Sequence, residues 1–141
     1  MKRDLDLMRE IMLDLENRPH YKGSLKIYNS TPTDLELMHG VELSQEDTCN
    51  ASPEKYHNAL LLHDAEFIKE NYHFAGVRRA SNTEIYISRL TNSGHDFLDS
   101  IRDDGILSKV KTRLLAVGGE ASLEVIRALA TSLIKQQLGI D

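Results

Sequence analysis

A single strand-to-helix junction constrains the fold of this sequence more than any other feature. Ile85 and Ile87 alternate with Tyr86, which is the period-two pattern of a strand with one buried face. Thr91 follows this strand directly and belongs to a residue type that caps helices. The helix that it would cap has an apolar face consisting of Phe97, Leu98 and Ile101. The sequence therefore predicts a strand that passes at once into an amphipathic helix.

A second strand pattern precedes this junction and predicts a β-hairpin. Phe67–Tyr72 has strand character, and so does Glu84–Leu90. The residues between these two segments are mostly polar and include Gly76, Arg78 and Arg79. We therefore predict a hairpin with a long polar tip.

Amphipathic helices are predicted on both sides of the hairpin. The segments with a helical pattern are 4–16, 53–64, 106–115 and 123–134. Asp4 and the pair Ser52-Pro53 supply typical helix starts. Between the first two helices the pattern is less regular, and it predicts a short strand at Leu25–Tyr28 and a short helix or loop at Leu35–Leu43.

The order helix, short strand, helix, helix, hairpin, helix is that of a winged helix, in which the helix before the hairpin can enter a DNA major groove. We therefore predict an α+β, mainly α, fold with a winged-helix-like domain over residues 1–105 and a β-hairpin wing. Residues 106–141 are predicted to be a C-terminal extension of two added helices. This extension either packs on the domain or forms a dimer contact.

The last helix has more apolar surface than a small core requires. Its apolar stripe consists of Leu123, Ile126, Leu129, Leu133 and Ile134. Winged-helix proteins often dimerise through added terminal helices, so we predict a homodimer that uses this stripe. The alternative is that the stripe packs back on the first helix of the same chain.

Two stretches resemble a known family. Met-Lys-Arg-Asp-Leu-Asp-Leu at residues 1–7 and the run Arg89–Asp103 are similar to the ends of the domain-of-unknown-function 2513 family of bacteria and phages. Lys109-Val110-Lys111 and the final helix extend the likeness, which covers most of 85–138. Because the family has no accepted activity, the resemblance implies a winged-helix-like fold and a bacterial or phage genome, without a mechanism.

The turn into the hairpin departs from the usual winged-helix sequence. Ala65-Glu66-Phe67-Ile68 stands where winged helices commonly have Ala-Gly-hydrophobic-Ile. A glutamate adopts positive φ with difficulty, whereas glycine does so freely. Glu66 therefore argues against the usual glycine-type turn at this position.

Composition is that of an ordinary globular domain. The chain has 141 residues, of which 40% are hydrophobic and 28% charged, enough for one modest core. Its apolar runs are far shorter than the roughly 18 residues that a membrane span needs. The N-terminus has no secretory hydrophobic segment, and Cys49 is the single cysteine. We therefore expect a soluble cytoplasmic protein with no disulfide and no membrane contact.

No pattern in the sequence indicates an enzyme, a metal site or a cofactor. The six histidines lack the spacing of zinc ligands, and no phosphate-binding loop or nucleophile motif is present. Gly94-His95-Asp96 begins a helix, where backbone N–H groups can hold an anion, but we favour close packing by Gly94 instead. The carboxylates that follow are interpreted as a solvated stripe. We predict no enzymatic activity and no cofactor.

Six residues are candidates for contacts with double-stranded DNA. They are Lys55, His57 and Asn58 on the 53–64 helix, Arg78 and Arg79 at the hairpin tip, and Arg89 at the end of the hairpin. The three on the helix are expected to face outward, where asparagine suits adenine and lysine suits guanine. The arginines of the tip would reach phosphates or a minor groove, although a merely solvated tip is the alternative. The leading hypothesis is a winged-helix DNA-binding or regulatory protein.

The net charge of −5 favours a competing hypothesis. Sequence-independent DNA affinity comes from neutralising phosphates, yet residues 25–52 contain one lysine and five carboxylates. The acidic segments 34–47 and 96–104, together with the apolar run Leu60–Leu62, would suit a basic partner protein. The competing hypothesis is a protein-interaction module of a phage or mobile element that does not bind nucleic acid.

Overall fold

The fold is α+β and mainly helical, as predicted, in a computed structural model that describes residues 2–71 and 83–139. The helices are α1 (Leu5–Asn17), α2 (Pro32–His39), α3 (Gln45–Asn50), α4 (Pro53–Asp64), α5 (Asn92–Ile101), α6 (Asp104–Ala116) and α7 (Leu123–Leu138). The strands are β1 (Leu25–Tyr28), β2 (Ile68–Glu70) and β3 (Glu84–Leu90), and a short 3-10 helix covers His20–Lys22. This order is compatible with a winged-helix-like fold.

Contacts divide the chain into two compact parts, Met1–Gly94 and His95–Asp141. The division lies before the boundary that was predicted between residues 105 and 106. The first part holds α1 to α4 and the sheet. The second part holds most of α5 together with α6 and α7, the two predicted C-terminal helices.

The sheet of the first part is antiparallel with the strand order β1-β3-β2. Alternation along the strands sends Leu25, Ile27, Ile85 and Ile87 to one face, where all four are fully buried. Helices α1 and α4 pack on this face. The register is shifted by one residue at Ser88, because Lys69 lies opposite Arg89 while the next residue of β2 lies opposite Ile87.

Helix α1 forms as its sequence pattern predicts. Asp4 caps it, with Oδ1 accepting hydrogen bonds from the N–H groups of Asp6 (3.0 Å) and Leu7 (3.2 Å). The fully buried residues are Met8, Ile11 and Met12, at the three- and four-residue spacing of one helix face. This face of α1 packs against the sheet and α4.

Helix α3 is an element that the apolar pattern did not predict. Its sequence, Gln-Glu-Asp-Thr-Cys-Asn, has no apolar stripe. The helix is instead begun by Ser44, whose Oγ accepts a hydrogen bond from the N–H of Asp47 at 3.2 Å. It is also tied to the end of α1 by a 2.6 Å contact between Arg18 and Glu46. Local caps and a contact distant in sequence therefore make this helix.

The turn after α4 forms in spite of the glutamate. Glu66 adopts the left-handed region with φ of 62°. Its N–H donates to the carbonyl of His63 at 3.0 Å, and the N–H of Phe67 donates to the carbonyl of Leu62 at 3.0 Å. These two bonds make the common glycine-type helix ending, with a side chain in the position that favours glycine. The doubt that Glu66 raised about this turn is therefore corrected by the structure.

The start of α5 is fixed on this turn. Thr91 donates through Oγ1 to the carbonyl of Glu66 at 2.6 Å and accepts from the N–H of Gly94 at 3.0 Å. A Cβ added to Gly94 would collide with the backbone carbonyl of Phe67. Gly94 is therefore explained by close packing against the residue that enters β2, as expected.

In the second part, α6 and α7 pack together through one apolar face each. The buried residues are Ile106, Leu107, Val110 and Leu114 on α6, and Leu123, Ile126, Ala130 and Leu133 on α7. Asp103 caps α6, with Oδ2 accepting from the N–H of Ile106 at 2.9 Å. Among the described residues, no helix is both long enough and apolar enough to cross a bilayer.

Candidate nucleic-acid interface

Two of the predicted base-contacting residues on α4 are buried. Lys55 is 5% exposed and Asn58 is 1% exposed, contrary to the expectation that they face outward. Their burial follows from the packing of α4 between α1 and the sheet. A role for either side chain in reading bases stays a prediction that this placement does not favour.

Both buried side chains have partners inside the protein. The amide oxygen of Asn58 accepts from the backbone N–H of Asp4 at 2.8 Å, and its Nδ2 donates to the carbonyl of Glu54 at 2.9 Å. Lys55 donates through Nζ to Oδ1 of the buried Asn50 at 2.7 Å, with Glu10 at 3.8 Å. A buried polar group is stable only when it is paired in this way. These residues therefore hold α4 against α1 and α3.

The outward side of α4 does not suit a phosphate backbone. Glu54 and Asp64 are exposed at its two ends, and His57 and Leu61 between them are half-buried. His63, near the C-terminal end, is also half-buried, and its Nε2 lies 3.3 Å from Oε2 of the buried Glu70 of β2. Of the three predicted contacts on this helix, only His57 is accessible to a ligand.

The predicted arginines are distributed differently. Arg78 and Arg79 lie outside the described residues. Arg89 is exposed on β3, at the end of the strand that leads into α5, and it donates to the carbonyl of Leu90 at 3.0 Å. The positions in strand β3 from Glu84 to Arg89 span roughly 17 Å. Arg89 is therefore remote from Glu84, where β3 begins.

The strand register brings Arg89 to two lysines that the sequence analysis did not select. Lys69 of β2 lies directly opposite Arg89, and Lys26 of β1 lies opposite Tyr86 of β3. All three cations are exposed, since the strands send their alternate residues into the core. The Nζ of Lys26 lies 5.4 Å from the centre of the Tyr86 ring. We call Lys26, Lys69, Arg89 and Tyr86 the outer sheet face.

The outer sheet face combines positive charge with an aromatic ring. Strands lie about 4.8 Å apart, and residues along a strand rise about 3.3 Å each, so the diagonal from Lys26 to Lys69 is roughly 14 Å. At about 3.4 Å per nucleotide of one strand, this corresponds to about four nucleotides. Charged groups at this spacing can pair with successive phosphates, and a tyrosine can stack on a base. The alternation in Leu25-Lys26-Ile27 indicates from the sequence that Lys26 faces solvent. No local pattern indicates that Lys69 and Arg89 lie on the same face, because the strand register decides this.

The other end of the sheet is acidic. The hydroxyl of Tyr28 donates to Oδ1 of Asp47 at 3.3 Å. Burial, together with the nearby carboxylates of Asp47 and Glu84, raises the pKa of Tyr28 to about 12. Burial and a hydrogen bond to Glu84 also raise the pKa of Tyr86. The sheet is therefore basic at the Arg89 end of β3 and acidic at the Glu84 end.

The two acidic segments differ in how their charges are used. In 96–104, Asp99 pairs with Arg102 at 2.8 Å, Asp96 lies 3.8 Å from Arg127, and Asp103 caps α6. In 34–47 the carboxylates surround exposed apolar side chains instead. Leu37, Met38 and Val41 are 78%, 67% and 62% exposed. We call these three residues the α2 patch.

The predicted dimer stripe is largely used within the chain. Leu123, Ile126 and Leu133 are buried, whereas Leu129 and Ile134 are half-buried. Exposed apolar residues of the second part lie elsewhere, at Leu115, Val117, Val125 and Leu138. The homodimer stays a prediction. Among residues 2–71 and 83–139, no group of three His, Cys, Asp or Glu side chains is placed to hold a metal ion.

Comparison with known proteins identifies the family. A family model described as "Hypothetical protein (DUF2513)" matches residues 2–120. The chain belongs to this family. The DUF2513 match begins before α1 and ends after α6, so it includes the outer sheet face and the α2 patch and excludes α7.

A relative extends the likeness over almost the whole chain. An uncharacterized protein of Haemophilus influenzae is 29% identical over 138 residues, which is 98% of this chain and 99% of that protein. The alignment therefore also covers α7. No solved structure matches the chain.

Proposed function

We propose that this DUF2513 protein is a winged-helix-like regulatory protein that binds nucleic acid through its outer sheet face. The observation that supports the proposal is the register of β1, β3 and β2, which places Lys26, Lys69 and Arg89 together on one exposed surface. Glu84 lies on the same face of the strands and Asp47 accepts from Tyr28 at its far end, so the positive charge of this face is concentrated around Lys69 and Arg89 in a chain of net charge −5.

This mode of binding differs from that of the usual winged helix. The recognition helix would be α4, but its outward side carries Glu54 and Asp64, and phosphates repel carboxylates. Contacts from the sheet would be to phosphates and to the flat face of a base, neither of which specifies a sequence. We therefore expect binding with strong salt dependence and weak sequence preference.

Fluorescence anisotropy with a labelled oligonucleotide tests the proposal directly. One arm uses a single strand of about 20 nucleotides and the other the matching duplex, both at about 50 mM salt, where phosphate contacts are strong. The test variant is Lys26→Gln/Lys69→Gln/Arg89→Gln. The control is Lys109→Gln/Arg113→Gln/Lys135→Gln, which removes the same charge from exposed positions of α6 and α7.

The test variant should bind at least about tenfold more weakly than the control variant, with a smaller salt slope. Each lost phosphate contact lowers that slope by about 0.7 for a single strand and about 0.9 for a duplex. The arm with the tighter affinity identifies the form of nucleic acid. If the unaltered protein binds neither oligonucleotide at about 50 mM salt, or if both triple variants weaken binding equally, the proposal fails.

A second candidate function is favoured by a different observation. The α2 patch exposes three large apolar side chains in an acidic segment, as a protein-interaction module would. This candidate function requires a partner protein and no nucleic acid.

A further inference from the structure

We propose that the α2 patch binds a basic amphipathic helix of a partner protein. The patch consists of Leu37 and Met38 on α2 and Val41 in the turn that follows. Leu35 holds the other side of α2 in the core and is buried. The apolar residues of α2 are therefore divided between the inside of the protein and its surface.

The exposure of the patch has an energetic cost that binding would recover. Moving a leucine or methionine side chain out of water into an apolar contact is favourable in proportion to the apolar area that is buried. Single exposed apolar residues are ordinary, but three within five positions of the chain are a concentration of the kind that marks interaction surfaces. Gly40 ends α2 in the left-handed region with φ of 64°, and Val41 follows it directly.

The charges around the patch select a cationic partner. Segment 34–47 has no lysine or arginine, and its carboxylates are Asp34, Glu36, Glu42, Glu46 and Asp47. Glu46 is engaged by Arg18, and Asp47 accepts from Tyr28. Asp34, Glu36 and Glu42 are exposed beside the apolar residues. They would repel the phosphates of nucleic acid and of anionic lipid, which leaves a basic protein surface as the complementary ligand.

The shape of the patch indicates a helix rather than an extended peptide. An added strand needs an open sheet edge with free backbone groups, whereas the patch consists of side chains on a helix and its following turn. An amphipathic helix offers apolar residues every three or four positions, with lysines and arginines flanking them to meet the acidic rim. Met38 contributes a flexible side chain that adapts to such a surface.

This inference does not rest on the proposed nucleic-acid binding. The outer sheet face and the α2 patch share no residue, and they carry opposite charge. A protein with both would bind nucleic acid on one surface and a basic helix on another. The two proposals therefore fail independently of one another.

The test uses the full chain and a labelled synthetic peptide of about 18 residues made of leucine and lysine with the 3.6-residue period. A scrambled peptide of the same composition keeps the charge without the apolar face, and a leucine–glutamate peptide with the same period keeps the apolar face with the opposite charge. Fluorescence anisotropy gives the three affinities. The amphipathic leucine–lysine peptide should bind at least about tenfold more tightly than either comparison peptide.

Variants then locate the contact. Leu37→Ser/Met38→Ser should weaken binding of the amphipathic basic peptide at least about tenfold. The matched control, Leu115→Ser/Val117→Ser, removes two equally exposed apolar residues at the end of α6 and should leave affinity within about twofold. Because all four side chains are exposed, neither variant should impair folding. Glu36→Gln/Glu42→Gln should weaken binding and flatten its salt dependence.

Three results would overturn the proposal. One is equal binding of the scrambled peptide, which would leave no role for the apolar residues. Another is equal loss of affinity in the α6 control variant. The third is a dimer of the unaltered protein that Leu37→Ser/Met38→Ser dissociates in analytical ultracentrifugation, since a second copy of the chain would then occupy the patch.

Discussion

Helix α4 buries polar side chains, whereas helix α2 exposes apolar ones. On α4, the polar side chains of Lys55 and Asn58 are buried and paired within the protein. On α2, the apolar side chains of Leu37 and Met38 are in solvent. The polar residues of α4, which predict ligand contacts from the sequence, are thus held inside the protein. Helix α2, whose sequence pattern is less regular, instead exposes an apolar surface.

The difference shows what kind of observation indicates function. A polar side chain on a helix is available for binding only if no internal partner holds it, and a group of neighbouring apolar side chains in water marks a candidate interaction surface. By this criterion α4 is fixed near its middle, at Asn58 by Asp4, and at its C-terminal turn by Thr91 and Gly94. Helix α2 is attached through Leu35 and by packing on α3.

The largest effect is expected at the C-terminal anchor of α4. Gly94→Ala places a methyl group against the backbone carbonyl of Phe67, which cannot move without disturbing the turn at Glu66. We expect a loss of about 3 kcal/mol in the free energy of unfolding, measured by urea denaturation followed by circular dichroism. Gly105→Ala is the control, because a Cβ there would meet only the side chain of Asp103.

The control should stay within about 1 kcal/mol of the unaltered protein, because the gain of alanine over glycine in a helix is offset where the added Cβ crowds the capping Oδ2 of Asp103, 3.0 Å away. A Gly94→Ala variant as stable as the Gly105→Ala variant would show that α4 is not anchored at this turn. Asn58 would then be the remaining anchor that distinguishes α4 from α2.

The next effect separates α4 from α2 directly. Asn58→Ala removes two hydrogen bonds and leaves the N–H of Asp4 without its partner, so we expect a loss of about 2 kcal/mol in the free energy of unfolding. Leu37→Ala should change stability by less than about 0.5 kcal/mol, because the side chain is in solvent. Thermal and urea denaturation of the two variants give both values. Equal losses would mean that α2 is as tightly packed as α4.

Variants at Lys55 test whether this side chain stabilises the fold or contacts a ligand. Lys55→Met keeps the length of the side chain but removes the donor to the buried Asn50, and we expect a loss of about 1 kcal/mol. Glu10→Gln should be close to neutral, since Glu10 is exposed and lies 3.8 Å from Lys55. Anisotropy with the same oligonucleotides should give unchanged affinity for folded Lys55→Met. A specific loss of affinity would instead return Lys55 to the role of a base-contacting residue.

Much of the fold follows from local rules, and the candidate surfaces do not. Periodicity and caps predicted α1, α4 and the sheet strands, because these features depend on residues within a few positions of one another. The burial of Asn58 depends on Asp4, which is 54 residues away. The neighbours of Arg89 depend on strand register. Both facts are set by tertiary packing, so the rule that polar residues face solvent failed for Lys55 and Asn58.

The α2 patch was hidden for a related reason. The segment Leu35–Leu43 was predicted as a short helix or loop, and a run of apolar residues normally indicates burial. Only the structure separates Leu35, which is buried, from Leu37 and Met38, which are exposed. The acidic residues around them were the one signal available from the sequence, and that signal supported the competing hypothesis of a basic partner.

The smallest expected effect concerns the strain at the end of α4. Glu66 holds a left-handed φ of 62°, which costs a residue with a side chain about 1 kcal/mol, whereas glycine adopts it freely. Glycine also loses more conformational freedom on folding, so Glu66→Gly should be stabilising by only about 0.5 kcal/mol. Glu66→Ala keeps the strain, removes the same exposed charge and is the matched control. Chemical denaturation should place Glu66→Gly above Glu66→Ala. The reverse order would mean that the conformational entropy of glycine in the unfolded chain outweighs the strain relieved at this φ. If both variants are instead less stable than the unaltered protein, the carboxylate itself stabilises the turn, and the anchor of α4 depends on a glutamate rather than tolerating one.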